Sequence, residues 1–577
     1  MTRILVFSPY QIWTIHTIYE KTIAQACQVR GASADYLLCD GLLPECDQHW
    51  DSKENSPRPF DLCKRCQTTA KAEMQDFGIP YRWLGDFVSP AARAEAFAWA
   101  QSLIPSEFDG ALFRAAPIGQ WVRESVISYF RQYPPDLKDW HAVNVYRGFL
   151  YSGAIVLVGL KSYLAAHEVD SALLFNGRQS ATRVAFEVFR EHGIRVLTHE
   201  RAEYRRGHIN VKPNAHCMSM EPFLDLWSQW ADVPLSRGLL ESTQQWLNQR
   251  QTGVNLAWIP FNSFSQPVKS MRQTLNLSQN KRLWVLFTSS TDETAGDPMM
   301  KGPFESQATY VEDVVRWVRQ RDDIELVIKV HPNLGGNRYI GKATGELQMY
   351  EDMRSSLPSN VRLALPQDSV NAYALANDAD VGLTFGSIMG LEMAMLGKPV
   401  LLASRTWYED ASRILRVRSR ESLPEMLEKC LRASPDREIR REAFRLAYCL
   451  VCTFEMEFPL ITVLDIFDAK PNYSQKEELS AGRDPSLDRI CNYLIEGSPL
   501  FESPTPEDRS RSTAEEDAFF DQLEKAIAGS AISPASSGVN GELEAPNAVP
   551  KSSFRQFGSS IKKSIRQFRA LSSSRNR

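Results

Sequence analysis

The stretch DVGLTFGSIMGLEMAMLGKPVLLAS, residues 380–404, decides the fold. An apolar run that ends at Phe385 predicts a strand, Gly386 and Ser387 open a helix, and Gly397 turns the chain into a second apolar run. This order is typical of a parallel sheet with crossover helices. The loop after the first strand aims backbone N–H groups and the positive end of the helix dipole at whatever lies above the sheet. We therefore expect a phosphate or diphosphate at this loop.

The same alternation of strands and helices extends outward in both directions. Further strands are predicted at 2–7, 34–40, 171–177, 194–200, 282–291, 324–332 and 360–366, with helices that include 14–31, 308–321 and 368–379. Near-continuous Val, Ile and Leu in such strands favour sheets that are buried on both faces. The sequence therefore predicts an α/β protein of two Rossmann-like domains facing a cleft. We expect these domains over 1–265 and 266–460, followed by terminal helices over 461–499.

The last eighty residues have a different composition. Residues 500–550 are rich in Ser, Pro, Ala and acidic residues, which predicts a disordered linker holding one short helix, TAEEDAFFDQLEKAIAG. Residues 551–577 carry eight Lys or Arg and no acid. Their apolar residues recur at spacings of three and four, at Phe554, Phe557, Ile561, Ile565 and Phe568. This pattern predicts a basic amphipathic helix that binds an anionic membrane surface.

Two other interpretations of this tail are a nucleic-acid arm and a solvated disordered end. The apolar stripe favours the membrane, because an arm that binds phosphates needs charges but no stripe. We therefore expect no nucleic-acid partner.

The overall composition indicates a globular protein. The chain has 577 residues, of which 43% are apolar and 24% charged. The first apolar run, Ile4–Phe7, is too short for a signal peptide, and no window approaches 18 uninterrupted apolar residues. We therefore expect a cytoplasmic protein, peripheral at the inner face of the membrane, whose thiols stay reduced.

Four of the ten cysteines, Cys39, Cys46, Cys63 and Cys66, fall in one loop predicted over 39–66. Disulfides, a metal site and chance are the competing explanations. A reducing compartment favours metal over disulfides, and a CxxC pair presents two thiolates to one ion. We expect a structural Zn²⁺, with an iron–sulfur cluster less favoured and unrelated thiols as the alternative. His49 is a possible substitute ligand.

Two further groups of polar residues follow strands of the second domain. Lys329 and His331 lie two apart at a strand end, where a cation and an imidazole could neutralise a leaving phosphate. The alternative for His331 is a histidine that only caps the strand. The loop FTSST supplies Ser289, Ser290 and Thr291 as a second candidate phosphate loop. Glu392 lies further along the helix that Gly386 and Ser387 open, and could bind the hydroxyls of a sugar.

The run HP…LANDADVGLTFGSIMGLEMAMLGKPVL resembles the carboxy-terminal domain of GT-B glycosyltransferases. It is most similar to bacterial capsule-polysaccharide biosynthesis proteins, and more distantly to teichoic acid glycerophosphotransferases and the UDP-N-acetylglucosamine 2-epimerase fold. LFNGRQSATRVAF (174–186) and THERAEY (198–204) look like amino-domain motifs of the capsule group, so the resemblance covers about residues 1–450. It implies that His331 and Ser387 contact the donor's phosphates and that Glu392 holds its ribose. The sequence TFGS departs from the Asp-Tyr-Ser-Ser type of loop in the teichoic acid enzymes, which puts a CDP-glycerol donor in doubt.

The resemblance implies a glycosyltransferase that moves a sugar from a nucleotide-sugar donor to a capsule or exopolysaccharide glycan or a lipid-linked acceptor. Residues 266–460 would bind the donor and residues 1–265 the acceptor. The sequence has no convincing Asp-x-Asp metal loop, so we expect no catalytic metal. His16 is the first candidate for the acceptor-side base, although a packed histidine explains it equally well. The next candidates are Asn176, Arg178 and Glu200.

Two other functions stay open. One is a non-catalytic GT-B-like scaffold of an envelope polysaccharide assembly complex. The other is a glycerophosphotransferase-like enzyme.

Overall fold

The computed structural model describes residues 1–51, 60–132, 134–254, 256–257, 270–290, 301–336, 341–465 and 467–530. The candidate Thr291 and the predicted amphipathic helix over 551–577 lie outside these ranges. The chain forms two compact units, Met1–Phe520 and Asp521–Arg577. Everything below concerns the first unit unless stated otherwise.

The first half of the chain builds a sheet covered by helices. Its strands are β1 (Arg3–Ser8), β2 (Ser33–Leu38), β3 (Tyr81–Trp83), β4 (Ser171–Phe175), β5 (Arg195–Arg201) and β6 (His208–Pro213). Its helices are α1 (Thr14–Val29), α2 (Phe60–Phe77), α3 (Pro90–Ser102), α4 (Ile118–Phe130), α5 (Trp140–Ala166), α6 (Ser180–Glu191), α7 (Glu221–Trp230) and α8 (Arg237–Thr252). The strand order β3-β2-β1-β4-β5 is parallel throughout, and β6 pairs antiparallel with β5. We call this the first sheet.

The second half builds an all-parallel sheet. Its strands are β7 (Arg282–Phe287), β8 (Ile324–Lys329), β9 (Val361–Ala364), β10 (Val381–Thr384), β11 (Val400–Leu402) and β12 (Leu415–Arg416). Its helices are α9 (Met271–Thr274), α10 (Gln307–Val318), α11 (Thr344–Arg354), α12 (Ala372–Asp378), α13 (Met389–Met395), α14 (Leu423–Arg432) and α15 (Arg437–Tyr448). The order β12-β11-β10-β7-β8-β9 makes the second sheet. The predicted α/β class with two Rossmann-like sheets is therefore confirmed.

Both sheets are buried because their strands are apolar on both faces. Leu5 and Phe7 of β1 pack into one core with α4, α5 and α6, whereas Ile4 and Val6 pack into another beneath α1. In the second sheet, Trp284 and Leu286 share a core with α10 and α14. Each sheet thus has helices on its faces and leaves its strand ends open, which is where ligands of such sheets bind.

The chain then returns to the first sheet. Its last elements are β13 (Glu455–Glu457), β14 (Ile461–Asp465), β15 (Asp468–Pro471), α16 (Pro485–Glu496), α17 (Pro506–Ser510) and α18 (Ala514–Ser530). Strand β13 pairs antiparallel with β6, so it becomes the seventh strand of the first sheet. Leu487, Ile490 and Leu494 of α16 lie in the core beneath α1.

Two boundaries of the predicted domains are therefore wrong. Residues 455–457 belong to the first sheet rather than to a domain that ends at 460, and 461–499 contains a β-hairpin as well as a helix. The predicted linker over 500–550 begins too early, because Phe519 and Phe520 are buried against Phe444 of α15. Their apolar area outweighs the polar composition that suggested disorder.

Helix α5 is the one described helix that is long and apolar enough to cross a membrane, with a mean hydropathy of 1.5 in its most apolar window. That window is 67% buried, and α5 packs against α3, α4 and α6. Its hydropathy is therefore that of a core helix.

Candidate active site

A cleft of about 560 Å³ lies between the carboxyl ends of the two sheets. Nine of the predicted site residues line it, namely Asn176, Arg178, Glu200, Ser289, Ser290, Lys329, His331, Gly386 and Ser387. They come from the ends of β5 and β8 and from the loops after β4, β7, β8 and β10, which are far apart in the sequence. The cleft is thus built at the strand ends where an open α/β sheet binds its ligand.

Lys329 places a desolvated ammonium group in the cleft. It is the last residue of β8, is only 5% exposed, and lines the cleft wall. Burial lowers its pKa, and the charge of Asp368 opposes this effect. In the ranges given above, no carboxylate forms an ion pair with it. An anionic ligand would therefore gain more from this cation than from a solvated lysine.

His331 is held in one orientation by its own loop. Its backbone N–H donates to Thr288 Oγ1 at 2.8 Å, and its Nδ1 accepts from the N–H of Asn333 at 3.2 Å. Because Nδ1 accepts, the proton of the neutral ring lies on Nε2. The imidazole therefore caps the short turn Pro332–Gly335 that follows the strand, and His331 also lines the cleft.

The two glycine- and serine-containing loops adjoin each other. A Cβ atom added to Gly386 would lie 3.7 Å from Ser289 Oγ and 3.5 Å from the carbonyl oxygen of Arg405. The backbone of Ser289 is fixed by Gln307, whose side chain accepts from its N–H at 2.6 Å and donates to its carbonyl at 3.0 Å. Ser289 Oγ is buried and makes no hydrogen bond within the described part of the chain. Ser289 lines the cleft, so this hydroxyl is a candidate contact for a ligand.

The helix after Gly386 is shorter than the sequence suggests. The sequence from Ser387 to Gly397 predicts a helix over 388–397, but α13 spans only Met389–Met395. Ser387 Oγ accepts from the N–H of Met389 at 3.4 Å, so this hydroxyl caps the helix. A helix of seven residues has only a small dipole. An anion at this loop would therefore be bound by Lys329 and the loop donors rather than by the helix.

Glu392 does not line the cleft as expected for a ribose-binding residue. It is 2% exposed, and its Oε1 accepts from Arg250 Nε of α8 at 2.7 Å and from the Tyr373 hydroxyl at 3.5 Å. Arg250 and Tyr373 both line the cleft in its place. Glu392 therefore lies one layer behind the surface and joins the two halves of the protein.

On the opposite wall, a tight turn after β4 carries Arg178. Asn176 and Gly177 have φ angles of +39° and +65°, and Asn176 Oδ1 accepts from the N–H of Arg178 at 2.9 Å. The Arg178 guanidinium pairs with Glu124 of α4 at 3.0 Å. Since Arg178 is already neutralised, it is better suited to orient a ligand than to stabilise a free negative charge.

Glu200 is the carboxylate that lines this wall of the cleft with polar support on both oxygens. Its Oε1 lies 3.4 Å from His16 Nε2, and its Oε2 accepts from Asn176 Nδ2 at 3.4 Å. Burial is the main cause that raises its pKa, which the charges of Arg201 and His199 oppose. A carboxylate with a raised pKa is a better proton acceptor than an ordinary surface glutamate.

His16 is not placed as the acceptor-side base. It is 4% exposed, packs with its ring centroid 4.0 Å from that of Phe175, and is absent from the cleft lining. Burial and the nearby His199 and Arg201 hold its pKa well below its usual range, so the ring is neutral. His16 therefore lies behind Glu200, where its Nε2 can orient that carboxylate.

Several residues at or beside the cleft are not among those predicted from the sequence, and one of these, Arg131, joins the two halves without lining the cleft. Arg131 ends α4 with a φ of +50° and donates to the carbonyl of Asn333 at 3.0 Å and to Ser290 Oγ at 3.2 Å. Arg201 and Tyr204 line the cleft, as does Asp47. The motif THERAEY contains Arg201 and Tyr204, so its charge pattern could have indicated them, whereas no local pattern marks Arg131.

The four cysteines of the predicted metal loop are brought together, but not as two knuckles. Cys63 and Cys66 lie in the first turns of α2 rather than in a tight turn. With Cys39, Cys46 and His49 they line a second, small cavity. Among the described residues, no three His, Cys, Asp or Glu side chains already stand in coordinating geometry. The metal site thus stays a prediction.

Comparison with known proteins returns only distant structural matches. No family model and no curated protein sequence matches the chain. A KpsC β-Kdo 2,4-transferase of Thermosulfurimonas dismutans matches with 16% identity over 57% of this chain and 87% of its own, at a TM-score of 0.32. The UDP-GlcNAc 2-epimerase of Neisseria meningitidis bound to UDP-GlcNAc matches with 12% identity over 78% and 96%, at 0.24.

The spinosyn rhamnosyltransferase SpnG, solved with thymidine diphosphate, matches with 12% identity over 80% of this chain and 98% of its own, at a TM-score of 0.26. By their names, these neighbours are a Kdo transferase, an epimerase and a rhamnosyltransferase. Scores this low carry no argument about activity. Two Rossmann-like sheets that face one cleft define the GT-B fold. The chain has this architecture and is therefore a GT-B-fold protein.

Proposed function

We propose that the chain is a glycosyltransferase that moves a sugar from a nucleotide-sugar donor to a glycan or lipid-linked acceptor of the cell surface. The observation that carries this proposal is the cleft itself. Lys329 and His331 on one wall offer a cation and an N–H donor, and Glu200 on the opposite wall offers a supported carboxylate. Such a pair of walls suits a reaction that develops negative charge at one end and releases a proton at the other.

In the reaction, the acceptor hydroxyl gives its proton to Glu200 as its oxygen forms a bond to the anomeric carbon. The bond from that carbon to the donor's phosphate oxygen breaks, and the electron pair stays on the phosphate. Lys329 Nζ and His331 Nε2–H meet the charge that develops there. Ser289 Oγ and the backbone around Gly386 orient the phosphates. The backbone of Ser289 and the imidazole of His331 are already held by hydrogen bonds, so little reorganisation is needed at these two positions.

The nature of the acceptor and the site of action are part of the proposal. A capsule or exopolysaccharide acceptor follows from the sequence resemblance, and a lipid-linked acceptor would lie at the cytoplasmic face of the membrane. The basic tail over 551–577 would bring the enzyme to that surface. No catalytic metal is proposed, because Lys329 and His331 supply charge stabilisation.

The test combines donor binding with turnover. The purified full chain is titrated with UDP-, GDP- and CMP-sugars by calorimetry, and transfer is followed by release of the nucleotide. We expect one nucleotide class to bind and His331→Ala to weaken it, while Glu200→Gln leaves binding intact and lowers kcat by about 100-fold or more. Glu457→Gln, an exposed carboxylate of β13, is the matched control and should change neither.

A non-catalytic scaffold would give the opposite pattern. Cleft variants would then keep full polysaccharide output in cells, while truncation after residue 530 would abolish it. That result, or a wild-type chain that binds none of the nucleotide sugars, would contradict the proposed function.

A further inference from the structure

Four cysteines and one histidine surround the small second cavity, which the transfer reaction does not use. Cys39, Cys46, His49, Cys63 and Cys66 all line it. Its volume is about 10 Å³, which is close to the smallest space that holds one water molecule. It is therefore large enough for a single ion and too small for a multi-iron cluster.

Two of the cysteines sit at the start of turns that direct backbone N–H groups at sulfur. The Gly41 N–H donates to Cys39 Sγ at 3.3 Å, and the Gln48 N–H donates to Cys46 Sγ at 3.4 Å. In both turns the donor lies two residues after the cysteine. Such bonds stabilise a thiolate more than a thiol, because the acceptor is then charged. Hydrogen bonds to ligand sulfurs are also a general feature of metal–thiolate centres.

The other two cysteines face the cavity from a helix. Cys63 and Cys66 are three residues apart near the start of α2, so both lie on one face of that helix. Gln67 Nε2 donates to the carbonyl of Asp40 at 2.9 Å, which holds α2 against the first turn. Cys66 Sγ donates to Gln48 Oε1 at 3.6 Å, which joins α2 to the second turn.

Gly41 makes this close packing possible. Its φ is +85°, and an added Cβ would lie 2.7 Å from Gln67 Nε2 and 3.8 Å from the Cβ of Cys63. The positive φ favours glycine, and an added Cβ would displace the Gln67 side chain that bonds to Asp40. The three segments thus bring the four cysteines to one cavity.

We propose that Cys39, Cys46, Cys63 and Cys66 bind one Zn²⁺ ion in a structural site. Four thiolates complete the tetrahedron that zinc prefers and leave no position open for catalysis. Binding releases four thiol protons to solvent and leaves a charge of about −2 on the centre, which the exposed Lys64 and Arg65 of the CKRC segment offset. Because the sulfurs do not yet stand in coordinating geometry, their side chains must rotate toward a common centre when the ion enters.

His49 lies beside the site without being assigned as a ligand. Its Nδ1 is 3.1 Å from Glu45 Oε2, an ion pair one helical turn apart that holds the ring in place. A histidine held by a carboxylate can also act as a zinc ligand, so it is the competing donor at this cavity. Its substitution therefore tests the assigned ligand set.

The site would fix one wall of the large cleft. Asp47 follows Cys46 directly and lines that cleft. Its carboxylate accepts from the Tyr10 hydroxyl at 2.6 Å and from Ser180 Oγ at 2.8 Å, which ties the turn to α6. Zinc would thus hold a long loop against the first sheet, and this role does not depend on the proposed transfer reaction.

The experiment measures metal in the full chain after anaerobic purification without added chelator. Elemental analysis should find about one zinc per chain and no stoichiometric iron. Exchange of the metal for Co²⁺ should give the thiolate-to-cobalt charge-transfer absorption of a four-sulfur site. Cys63→Ser and Cys39→Ser should each lose the zinc, and chelator should lower the thermal midpoint of the wild type only.

Two matched controls make the test specific. His49→Gln, at the same cavity, and Cys452→Ser, elsewhere in the chain, should keep one zinc per chain. Wild-type protein without zinc, iron in place of zinc, or zinc that survives Cys39→Ser but not His49→Gln would each overturn the assigned site. Alkylation that counts fewer than ten thiols in metal-free protein would show disulfides instead and overturn it as well.

Discussion

Lys329 illustrates how a single residue can serve a ligand at the expense of the fold. Its ammonium group is withdrawn from water at the end of β8, and burial lowers its pKa. A buried charge without a close partner costs free energy in the unliganded protein. The arriving phosphate of a donor would supply the missing partner. Stability and binding should therefore respond in opposite directions when the charge is removed.

We expect Lys329→Met to weaken nucleotide-sugar binding by about 10- to 100-fold, the range for a lost charged hydrogen bond of roughly 1.5–3 kcal/mol. The same change should leave the thermal midpoint of the unliganded protein unchanged or raise it, because a desolvated charge is replaced by an apolar chain. Calorimetry and thermal unfolding measure the two effects. Lys429→Met, at an exposed position of α14, is the control and should change neither. A variant with a lowered midpoint and unchanged affinity would refute this role.

The pH dependence of transfer should report on Glu200. Burial raises its pKa above the ordinary 4.5, so the base form and the rate should rise with pH along a limb that lies above pH 4.5. His16 Nε2 lies 3.4 Å from Glu200 Oε1, where an N–H group would favour the carboxylate form. We therefore expect His16→Phe to move this limb to higher pH while nucleotide affinity stays the same. A pH–rate profile of kcat measures the shift. An unchanged limb in the variant would show that His16 only packs.

At the scale of elements, helices α8 and α13 are joined across the two halves by a buried ion pair. Arg250 Nε and Glu392 Oε1 are 2.7 Å apart, with side chains 19% and 2% exposed. Breaking such a pair leaves a buried charge without its partner. The sequence places Glu392 on the predicted helix but cannot show an arginine 142 residues away, which explains why Glu392 was expected at the ligand.

We expect Arg250→Met to lower the free energy of unfolding by about 3–5 kcal/mol, and Arg250→Met with Glu392→Gln to lower it by less than the two single changes combined. Urea denaturation of the four proteins in this double-mutant cycle measures the coupling. The ion pair Arg237–Glu241 on the same helix α8 is the control. Both of its side chains are about half exposed, so the pair should contribute under about 1 kcal/mol to the free energy of unfolding. Additive effects at Arg250 and Glu392 would refute the coupling.

Strand β13 carries a carboxyl group whose titration should couple to folding. Burial, with the nearby Glu203, raises the pKa of Glu455 to about 8. The folded chain therefore binds a proton that the unfolded chain releases above pH 4.5. The stabilising contribution of the protonated form is complete below about pH 4.5 and is lost as pH rises through about 8.

Between pH 6 and 8 we expect the free energy of unfolding to fall as the pH rises. The fall should be steeper in the wild type than in Glu455→Gln, by up to about 1.4 kcal/mol per pH unit. Urea denaturation at several pH values measures the difference, with Glu457→Gln on the same strand as the exposed control. Parallel pH profiles of wild type and Glu455→Gln would contradict the raised pKa.

The elements that could be predicted from sequence are those whose pattern is local. Strands β1, β4, β7 and β8 are mostly apolar runs, so the length and spacing of these runs were enough to predict them. Strand β13 has only three residues, Glu455–Glu457, and exists because β6 offers it an edge nearly 250 positions away in the chain. Likewise, the environment of His16 depends on Phe175 and Glu200, which no pattern around His16 reveals.

At the scale of the whole molecule, the candidate enzyme has a charge distribution suited to a membrane. The net charge of −4 includes eight Lys or Arg in residues 551–577, which have no acid. An anionic lipid surface attracts such a segment by about 1 kcal/mol per basic residue near it, and the apolar stripe adds burial. This part of the proposal depends on the sequence alone.

We expect the full chain to sediment with anionic liposomes and Phe557→Asp with Ile561→Asp to abolish this binding. Ser552→Asp with Ser559→Asp is the matched control, because it adds the same two charges outside the apolar stripe and should keep most of the affinity. Circular dichroism of a 551–577 peptide with the same liposomes should show helix formation. Equal sedimentation of the Phe557/Ile561 variant and the parent would refute an amphipathic anchor.

The return of the chain to the first sheet sets an order of assembly during synthesis. The edge of β6 stays uncovered, and the face of α1 that α16 covers stays in water, until residues 455–496 leave the ribosome. The second sheet, which is continuous in sequence, can close before the first one does. The first sheet is therefore synthesised first and completed last. In the interval its open strand edge is the place where a nascent chain is most exposed to wrong pairing.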